Sequence, residues 1–166
     1  MTRRTSAALH WIYQILKKHR IKFMITGGFA TRTYGSNRTL ADIDIEIHNT
    51  KFPLIESSVH KYIVYGPKRY KDKTFDVLLM TLKYEGQLID ICGSDSEKLF
   101  DKENDKWYKE HIDLNNDVSH KKVYDLVVPM EKVKSLIKYK KKISRRVDIQ
   151  DVRALERKKR NLKKKR

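Results

Sequence analysis

The chain has 166 residues, of which 39% are hydrophobic, and a formal net charge of +17. This length suits one domain, or one domain with a helical appendage. No apolar run is long enough to span a membrane, and residues 7–15 are too polar for the apolar part of a signal peptide. The single cysteine, Cys92, excludes an intramolecular disulfide. Together these features predict a protein of the reducing cytoplasm.

The positive charge is concentrated near the C-terminus. Residues 132–166 contain 17 Lys or Arg against 3 Asp or Glu, a net charge of +14, while residues 1–131 carry the remaining +3. Such a segment attracts polyanions such as RNA. A solvated helix face followed by a lysine-rich tail accounts for the same composition equally well, so both interpretations stay open.

The first elements predicted along the chain are a helix, a short strand and a glycine turn. Helical spacing of apolar residues follows Thr5 or Ser6, either of which can cap the helix. The apolar residues 23–25 predict a buried strand that ends at Gly27-Gly28. Two glycines allow the backbone to turn tightly and to approach a ligand closely. A short helix is expected over residues 29–34.

The next predicted strand contains the acidic residues that indicate a metal site. Residues 42–47 read Asp-Ile-Asp-Ile-Glu-Ile, a strict alternation that predicts a half-buried strand. Asp42, Asp44 and Glu46 therefore share one face, and the isoleucines share the other. Carboxylates this close repel one another unless a cation lies between them. Mg²⁺ is the hard cation that carboxylates and phosphate oxygens hold together.

These residues resemble the nucleotidyltransferases of the DNA polymerase β superfamily. The likeness rests on Gly27-Gly28, a short helix, Arg38 and Asp42-x-Asp44, and is best to the small Gly-Gly members, such as antibiotic nucleotidyltransferases and AbiEii-type toxins. It implies an α/β (α+β) fold with a short mixed or antiparallel central sheet, flanking helices and basic C-terminal helices. It also implies that Asp42 and Asp44 bind Mg²⁺ or Mn²⁺ and that Gly27 and Gly28 cradle the phosphates of an NTP.

A third carboxylate is expected from the next hairpin. After a helix over residues 52–62, a turn at 65–67 and a basic loop at 68–73, strands are predicted at 75–82 and 88–92. Asp90 and Asp76 both lie in apolar strands, where an ionised side chain is costly unless it is paired or metal-bound. Asp90 is preferred because its strand corresponds to the nearby antiparallel strand that carries the third metal ligand in the superfamily.

The remaining sequence predicts smaller elements and a helical C-terminus. A short helix containing Leu99 is expected after a cap in residues 94–97, with short strands in 118–128. Pro129 is expected to open a helix over 130–142, and a second helix covers 148–155. This divides the chain into a core of residues 1–128, a helical pair of residues 129–156 and a basic tail of residues 157–166.

The C-terminal pattern is also similar to that of AbiEii-like proteins. The likeness implies that Lys138, or alternatively Lys140, approaches the triphosphate, and that Lys138 and Arg38 neutralise its charge. It places Asp148 and Asp151 near the mouth of the active site. A helix cap and a first-turn acid explain these two aspartates equally well.

The predicted reaction transfers a nucleoside monophosphate from an NTP to an acceptor and releases pyrophosphate. Asp42, Asp44 and Asp90 would be the catalytic metal ligands, with Asp90 on the side of the attacking group. The charge favours an RNA acceptor, with tRNA suggested by the toxin branch, or an acidic partner protein. The alternatives are a non-catalytic nucleic-acid-binding module and an antibiotic-modifying nucleotidyltransferase.

Overall fold

The computed structural model describes residues 2–163, with the side chains of residues 2–160. Five helices lie within that range: α1 (Arg3–Lys18), α2 (Gly27–Thr33), α3 (Phe52–Val59), α4 (Val133–Ile143) and α5 (Arg146–Lys163). Across residues 2–163, no helix combines the length and the apolar character that a membrane span needs.

Nine strands form one sheet within residues 2–163. They are β1 (Phe23–Ile25), β2 (Asp42–Ile47), β3 (Ile63–Lys71), β4 (Phe75–Tyr84), β5 (Gln87–Gly93), β6 (Lys98–Asp101), β7 (Lys106–Lys109), β8 (Val118–Val123) and β9 (Leu126–Glu131). The order is β7-β6-β4-β5-β2-β1-β9-β8, and β3 pairs with β4. Most pairs are antiparallel, so the predicted mixed α/β fold is confirmed. Strand β5 nevertheless runs parallel to β2, where an antiparallel strand was expected.

The alternation of acidic residues and isoleucines in β2 determines which face of the sheet carries the acidic residues. Ile43, Ile45 and Ile47 are fully buried in the main core cluster, together with Leu9 and Ile12 of α1. Burying each isoleucine contributes about 1.5–3 kcal/mol. Since a one-residue slip of the strand would expose all three, this burial holds the acidic residues of β2 on the opposite face.

Three local predictions are wrong. Most of residues 65–73 lie in β3, which pairs only with β4 among the described strands and exposes many polar side chains. The expected helix around Leu99 is strand β6, and Asp95 caps nothing there but accepts a hydrogen bond from the Asn49 N–H. Pro129 was expected to open a helix but lies in strand β9. The ladder between β9 and β1 has a single residue pair, which includes Met130, so the missing N–H of proline is tolerated.

The C-terminal helices pack as a pair. Ser144 ends α4 in the left-handed region, with φ of 48°, and the chain turns there into α5. Helix α5 continues to Lys163, so residues 157–163 of the expected tail are helical, and residues 164–166 lie outside the described residues. The expected boundary between residues 128 and 129 falls inside β9, which belongs to the sheet.

Candidate active site

Three aspartates meet on one face of the sheet, where β2 and β5 lie side by side. The register pairs Asp44 with Asp90, and Asp42 lies two residues away on the same face. One carboxylate oxygen from each residue lies within 4.8 Å of the other two. Burial, followed by repulsion from Asp42, raises the pKa of Asp44 to about 7. Burial also raises the pKa of Asp42 and of Asp90.

This arrangement fits a divalent cation of the magnesium type. All three donors are hard carboxylate oxygens, and they converge on one point beside an open cavity. The raised pKa values indicate that the three negative charges are not neutralised by the protein alone. A cation bound between the carboxylates would remove that repulsion and keep all three ionised at neutral pH.

The glycine turn lies directly against these aspartates. The Gly28 N–H donates a hydrogen bond to Asp44 Oδ2 at 3.0 Å. Gly27 has φ of 58°, and a Cβ at this position would overlap the Asp44 carboxylate. A Cβ at position 28 would overlap the guanidinium of Arg38. This contact gives a physical reason for glycine at position 28.

A buried charge network connects the turn to the C-terminal helices. Arg38 Nε lies 3.1 Å from Asp151 Oδ2, and Lys140 Nζ lies 3.0 Å from both Asp148 and Asp151. Arg145 Nε lies 2.7 Å from Asp148 Oδ2. Lys140 is 1% exposed and the two aspartates are fully buried. Because charges this deep are stable only when paired, the network fixes α5 against the loop that carries Arg38.

Asp148 is an acid in the first turn of α5, one of the two interpretations that the sequence left open. Its carboxylate accepts a hydrogen bond from the Arg145 backbone N–H at 3.2 Å, as the third helical residue of a capping box does. The same carboxylate binds Lys140 inside the protein.

The two candidate lysines of α4 face different cavities. Lys140 lines the cavity that contains the three aspartates. Lys138 is exposed and lines a neighbouring cavity. The structure thus brings Lys140, the alternative, next to the aspartates, and places Lys138 elsewhere.

The structure places Asp90 and Asp76, the two candidates for the third carboxylate, on opposite faces of the sheet. Asp90 accepts a hydrogen bond from the Thr81 hydroxyl at 2.7 Å, on the face that carries Asp44. Asp76 is five residues from Thr81 along β4, so it points to the opposite face. There it binds the Arg69 guanidinium, with an Nη2–Oδ2 distance of 2.7 Å. Asp76 is therefore a partner of the edge strand and not part of the cluster.

The cavity above the aspartates has a polar end and an apolar wall. Its volume is about 470 Å³, within the range of small-molecule sites. The glycine turn, the aspartates, Arg38, Lys140 and Arg145 form the polar end, and the wall consists of Tyr70, Phe75, Val77, Leu79, Tyr139 and Val147. A nucleotide has the same division between charged phosphates and a flat base.

Sequence reasoning missed a second group of acids. Glu97 and Glu131 lie with Glu46 around a neighbouring cavity of about 340 Å³. Glu46 was expected to share the face of Asp44. Glu97 precedes β6 and Glu131 ends β9, and the only sequence signal was an acidic residue at the end of an apolar run. The order of the strands in the sheet, and not the local sequence, brings these three glutamates together.

Comparisons with known proteins agree with this geometry at the level of the fold. No protein-family model matches the sequence, and no curated protein sequence matches it significantly. A solved structure of a candidate nucleotidyltransferase from Thermotoga maritima matches with a TM-score of 0.73 and 19% identity, over 92% of this chain and 93% of that chain. The chain therefore shares its fold with this candidate nucleotidyltransferase.

Two further solved structures share this fold. The lincosamide antibiotic adenylyltransferase LnuA, solved with lincomycin, matches with a TM-score of 0.58 and 16% identity, over 89% of this chain and 94% of its own. The antibiotic-resistance factor ANT(2'')-Ia matches with a TM-score of 0.62 and 12% identity, over 98% of this chain and 86% of its own. Identities this low establish a shared fold and leave the substrate to be argued from the site.

Proposed function

We propose that the protein is a metal-dependent nucleotidyltransferase, which transfers the nucleoside monophosphate of an NTP such as ATP to an acceptor hydroxyl. The observation that supports this most directly is the convergence of Asp42, Asp44 and Asp90 beside Gly27-Gly28 at the polar end of one cavity. Two adjacent carboxylates with a third across the strand pair form a donor set for Mg²⁺ or Mn²⁺.

The three aspartates would divide two tasks. Asp42 and Asp44 would hold the metal, which when bound neutralises phosphate charge and orients the reacting oxygens. Asp90 would complete the metal's ligands on the side of the acceptor and assist the removal of the proton from the acceptor hydroxyl. The acceptor oxygen then bonds to the α-phosphorus, the bond to the β-phosphate oxygen breaks, and pyrophosphate leaves.

The remaining polar residues would position the triphosphate. Gly27 and Gly28 leave room for phosphate oxygens close to the backbone. Arg38 and Arg145, both half-buried at the cavity, would balance the phosphate charge. Lys140 replaces Lys138 in this scheme, because Lys140 lines the cavity and Lys138 does not.

The test is transfer of label from each α-labelled NTP, with Mg²⁺ and with cell extract as the source of acceptor. We expect a labelled product together with stoichiometric pyrophosphate, and no label in EDTA. The Asp42→Asn, Asp44→Asn double variant is the matched control, since it keeps shape and removes charge. Label transfer that persists in this variant would contradict the proposal.

A second candidate is nucleic-acid binding without turnover. Residues 132–166 carry a net charge of +14, and Arg153, Arg157, Lys158, Lys159 and Arg160 are exposed on α5. These charges support the RNA or acidic protein partner expected from the sequence. Binding of RNA that survives EDTA and falls steeply with salt, without any label transfer, would favour this function.

A further inference from the structure

One end of the sheet carries a row of charged side chains on the face opposite the three aspartates. It is the face to which Asp76 points, and it extends over β3, β4, β6 and β7. Residues directly opposite one another in a ladder share a face, so the register places Lys71, Asp76, Lys98 and Lys109 in one row across these four strands. Since neighbouring strands lie about 4.8 Å apart, the row is about 14 Å long.

An aromatic pair lies beside this row on the same face. Phe100 and Trp107 are directly opposite each other, two residues along from Lys98 and Lys109. Their ring centroids are 5.6 Å apart in an edge-to-face arrangement, and Lys71 Nζ lies 5.5 Å from the centroid of the Trp107 ring. Trp107 is 37% exposed, so part of its ring is open to a ligand.

The positive charge of this surface is only partly balanced by the protein. Asp76 is buried and accepts a hydrogen bond from Arg69 Nη2 at 2.7 Å, while Lys71 Nζ lies 4.0 Å from the same carboxylate. Lys98 and Lys109 are exposed and form no salt bridge with any described residue. Four Lys or Arg therefore face one Asp, a net charge of +3. The exposed part of this surface is the basic face, which consists of Arg69, Lys71, Lys98, Phe100, Trp107 and Lys109.

Folding alone does not account for the basic face. Like charges directly opposite each other in an antiparallel pair are destabilising, and Lys98 and Lys109 are such a pair. A lysine on a terminal strand discourages pairing with another chain, which explains Lys109 in β7. It does not explain Lys98 in β6, which has a strand on each side, or the exposed Trp107. A ligand with negative charge and a flat apolar group would satisfy both.

A single-stranded nucleic acid combines these two properties. Any base can stack on an exposed aromatic ring, and lysines beside the ring neutralise the adjacent phosphates. The bases of a double helix are stacked on one another, so a duplex cannot offer one to Trp107. An acidic peptide or an anionic lipid surface would use the lysines and leave the ring without a flat partner.

We propose that the basic face binds a single-stranded nucleic acid, with a base stacked on Trp107 and the neighbouring phosphates bound by Lys71, Lys98 and Lys109. This site lies on the opposite face of the sheet from Asp44, so it is separate from the cavity of the proposed transfer. The inference does not rest on the transferase function, because neither a metal ion nor an NTP takes part in it.

The surface of α5 is a different one. Helix α5 lies on the aspartate side, where its Asp151 binds Arg38 and Lys140. Its exposed cations have no aromatic partner among the cation–ring contacts of the described residues. Binding through α5 would therefore depend on charge alone, whereas binding through the basic face should also involve Trp107.

The first experiment is titration of the full chain with a single strand of about eight deoxythymidines, a usual site size, in EDTA and without NTP. We expect binding that quenches tryptophan fluorescence, because a base stacks on Trp107. Trp11, the other tryptophan, stacks on Tyr84 with ring centroids 4.4 Å apart and should not respond. If three or four phosphates are neutralised, log affinity should fall with log salt with a slope of about −2 to −3.

Substitutions in the basic face should separate stacking from charge. Trp107→Ala should weaken binding about 10-fold and leave the salt slope unchanged, while Trp107→Phe keeps a ring and should bind within about threefold but without quenching. Lys98→Gln with Lys109→Gln should make the slope shallower by about 1.4, or about 0.7 for each phosphate. Lys83→Gln with Lys122→Gln, at exposed positions of β4 and β8, removes the same charge and should leave the slope unchanged.

Absence of binding, or binding without quenching in the unsubstituted protein, would overturn the proposal, and neither readout needs a variant to fold. A strand that binds Trp107→Ala as tightly as the unsubstituted protein, but is lost when residues 157–166 are deleted, would also overturn it. In that case α5, and not the basic face, would be the binding surface.

The second experiment tests the chemical class of the ligand with polyanions that have no bases. The probes are polyglutamate of similar length and vesicles of phosphatidylserine with phosphatidylcholine. We expect both to bind more weakly than the oligonucleotide and to leave tryptophan fluorescence unchanged. If either binds as tightly as the oligonucleotide, and loses that affinity in the Lys98→Gln, Lys109→Gln variant, the assignment to nucleic acid is wrong.

Discussion

Two acidic clusters lie along the same face of β2, and the fold treats them differently. Asp44 receives a hydrogen bond from Gly28 and is stabilised by the charge of Lys140. Glu46, two residues further on, has an oxygen without any partner among the described residues. The comparison teaches that two acids on one strand can have different electrostatic surroundings, because Asp44 has a hydrogen-bond donor and a nearby positive charge, while Glu46 lies among other acids.

The source of this difference is the C-terminal helical pair. Lys140 and Arg145 come from the end of α4 and the turn that follows, and they lie at the aspartate end of the cavity. At the glutamate end, Lys134 and Lys138 of α4 line the rim of the cavity but form no salt bridge with the buried acids of residues 2–160. The end of α4 and the turn after it thus place Lys140 and Arg145 beside the aspartates, while, among the described residues, the lysines beside the glutamates form no salt bridge with them.

Removing charge from the aspartate cluster should have the largest effect. We expect Asp42→Asn with Asp44→Asn to reduce transfer by about 10³-fold or more, because a metal site contributes several kcal/mol to such a reaction. The fold should remain, with an equal or slightly higher melting temperature, since carboxylate repulsion is relieved. Pyrophosphate release and thermal unfolding measure the two outcomes. Metal-dependent NTP binding that remains unchanged would contradict the assignment.

The buried network should matter most for stability. We expect Lys140→Met to lower the free energy of unfolding by about 3–5 kcal/mol, because it leaves Asp148 and Asp151 buried beside an uncharged side chain. Lys138→Met, two residues away and exposed, should change it by less than about 0.5 kcal/mol. Urea titration of both variants compares them directly. Equal effects would show that Lys140 is not the centre of the network.

The glycine turn can be tested with a matched pair of alanines. Gly27→Ala should reduce transfer about 100-fold, because the new Cβ displaces Asp44 from its position. Gly86→Ala also places alanine at a positive φ, of 81°, but meets only Arg4 at 3.7 Å. It should lower stability by about 1–2 kcal/mol and leave turnover unchanged. A similar loss of activity in both variants would indicate general strain.

The glutamate cluster should make stability depend on pH. Glu97 and Glu131 have pKa values of about 8 and about 7 in the fold, above the usual value near 4.5. Their protonated forms are thus favoured by folding, and stability should fall as the pH rises from about 5 to about 8. The Glu97→Gln, Glu131→Gln double variant should show a flatter melting temperature across this range. An unchanged slope would mean that these acids are ionised in the native protein.

The basic tail should have the smallest effect on chemistry. Deleting residues 157–166 removes eight Lys or Arg. We expect weaker RNA binding with a shallower dependence on salt, and unchanged NTP binding. Filter binding over a range of salt concentrations, beside calorimetry with NTP, checks both. A loss of NTP affinity would show that the end of α5 supports the cavity.

The sequence could predict the parts of the site that depend on a local pattern. The alternation at residues 42–47 specifies β2, and the turn at residues 84–87 places Asp90 on the next strand of the sheet face. Lys138 and Lys140 could not be separated, because two residues on a helix are about 200° apart and only the packing of α5 decides which one is buried. Glu97 was assigned to a helix cap, since its contacts with Glu46 and Glu131 come from distant strands.

The bond between Arg38 and Asp151 joins residues 113 positions apart. All three aspartates have been synthesised by residue 90, while the partner that holds Arg38 arrives near the end of the described chain. Since β9 must also pair with β1 before the sheet is complete, the nascent protein on the ribosome should lack the finished cavity. A ribosome-arrested chain that ends before residue 148 should therefore fail to retain Mg²⁺ and NTP.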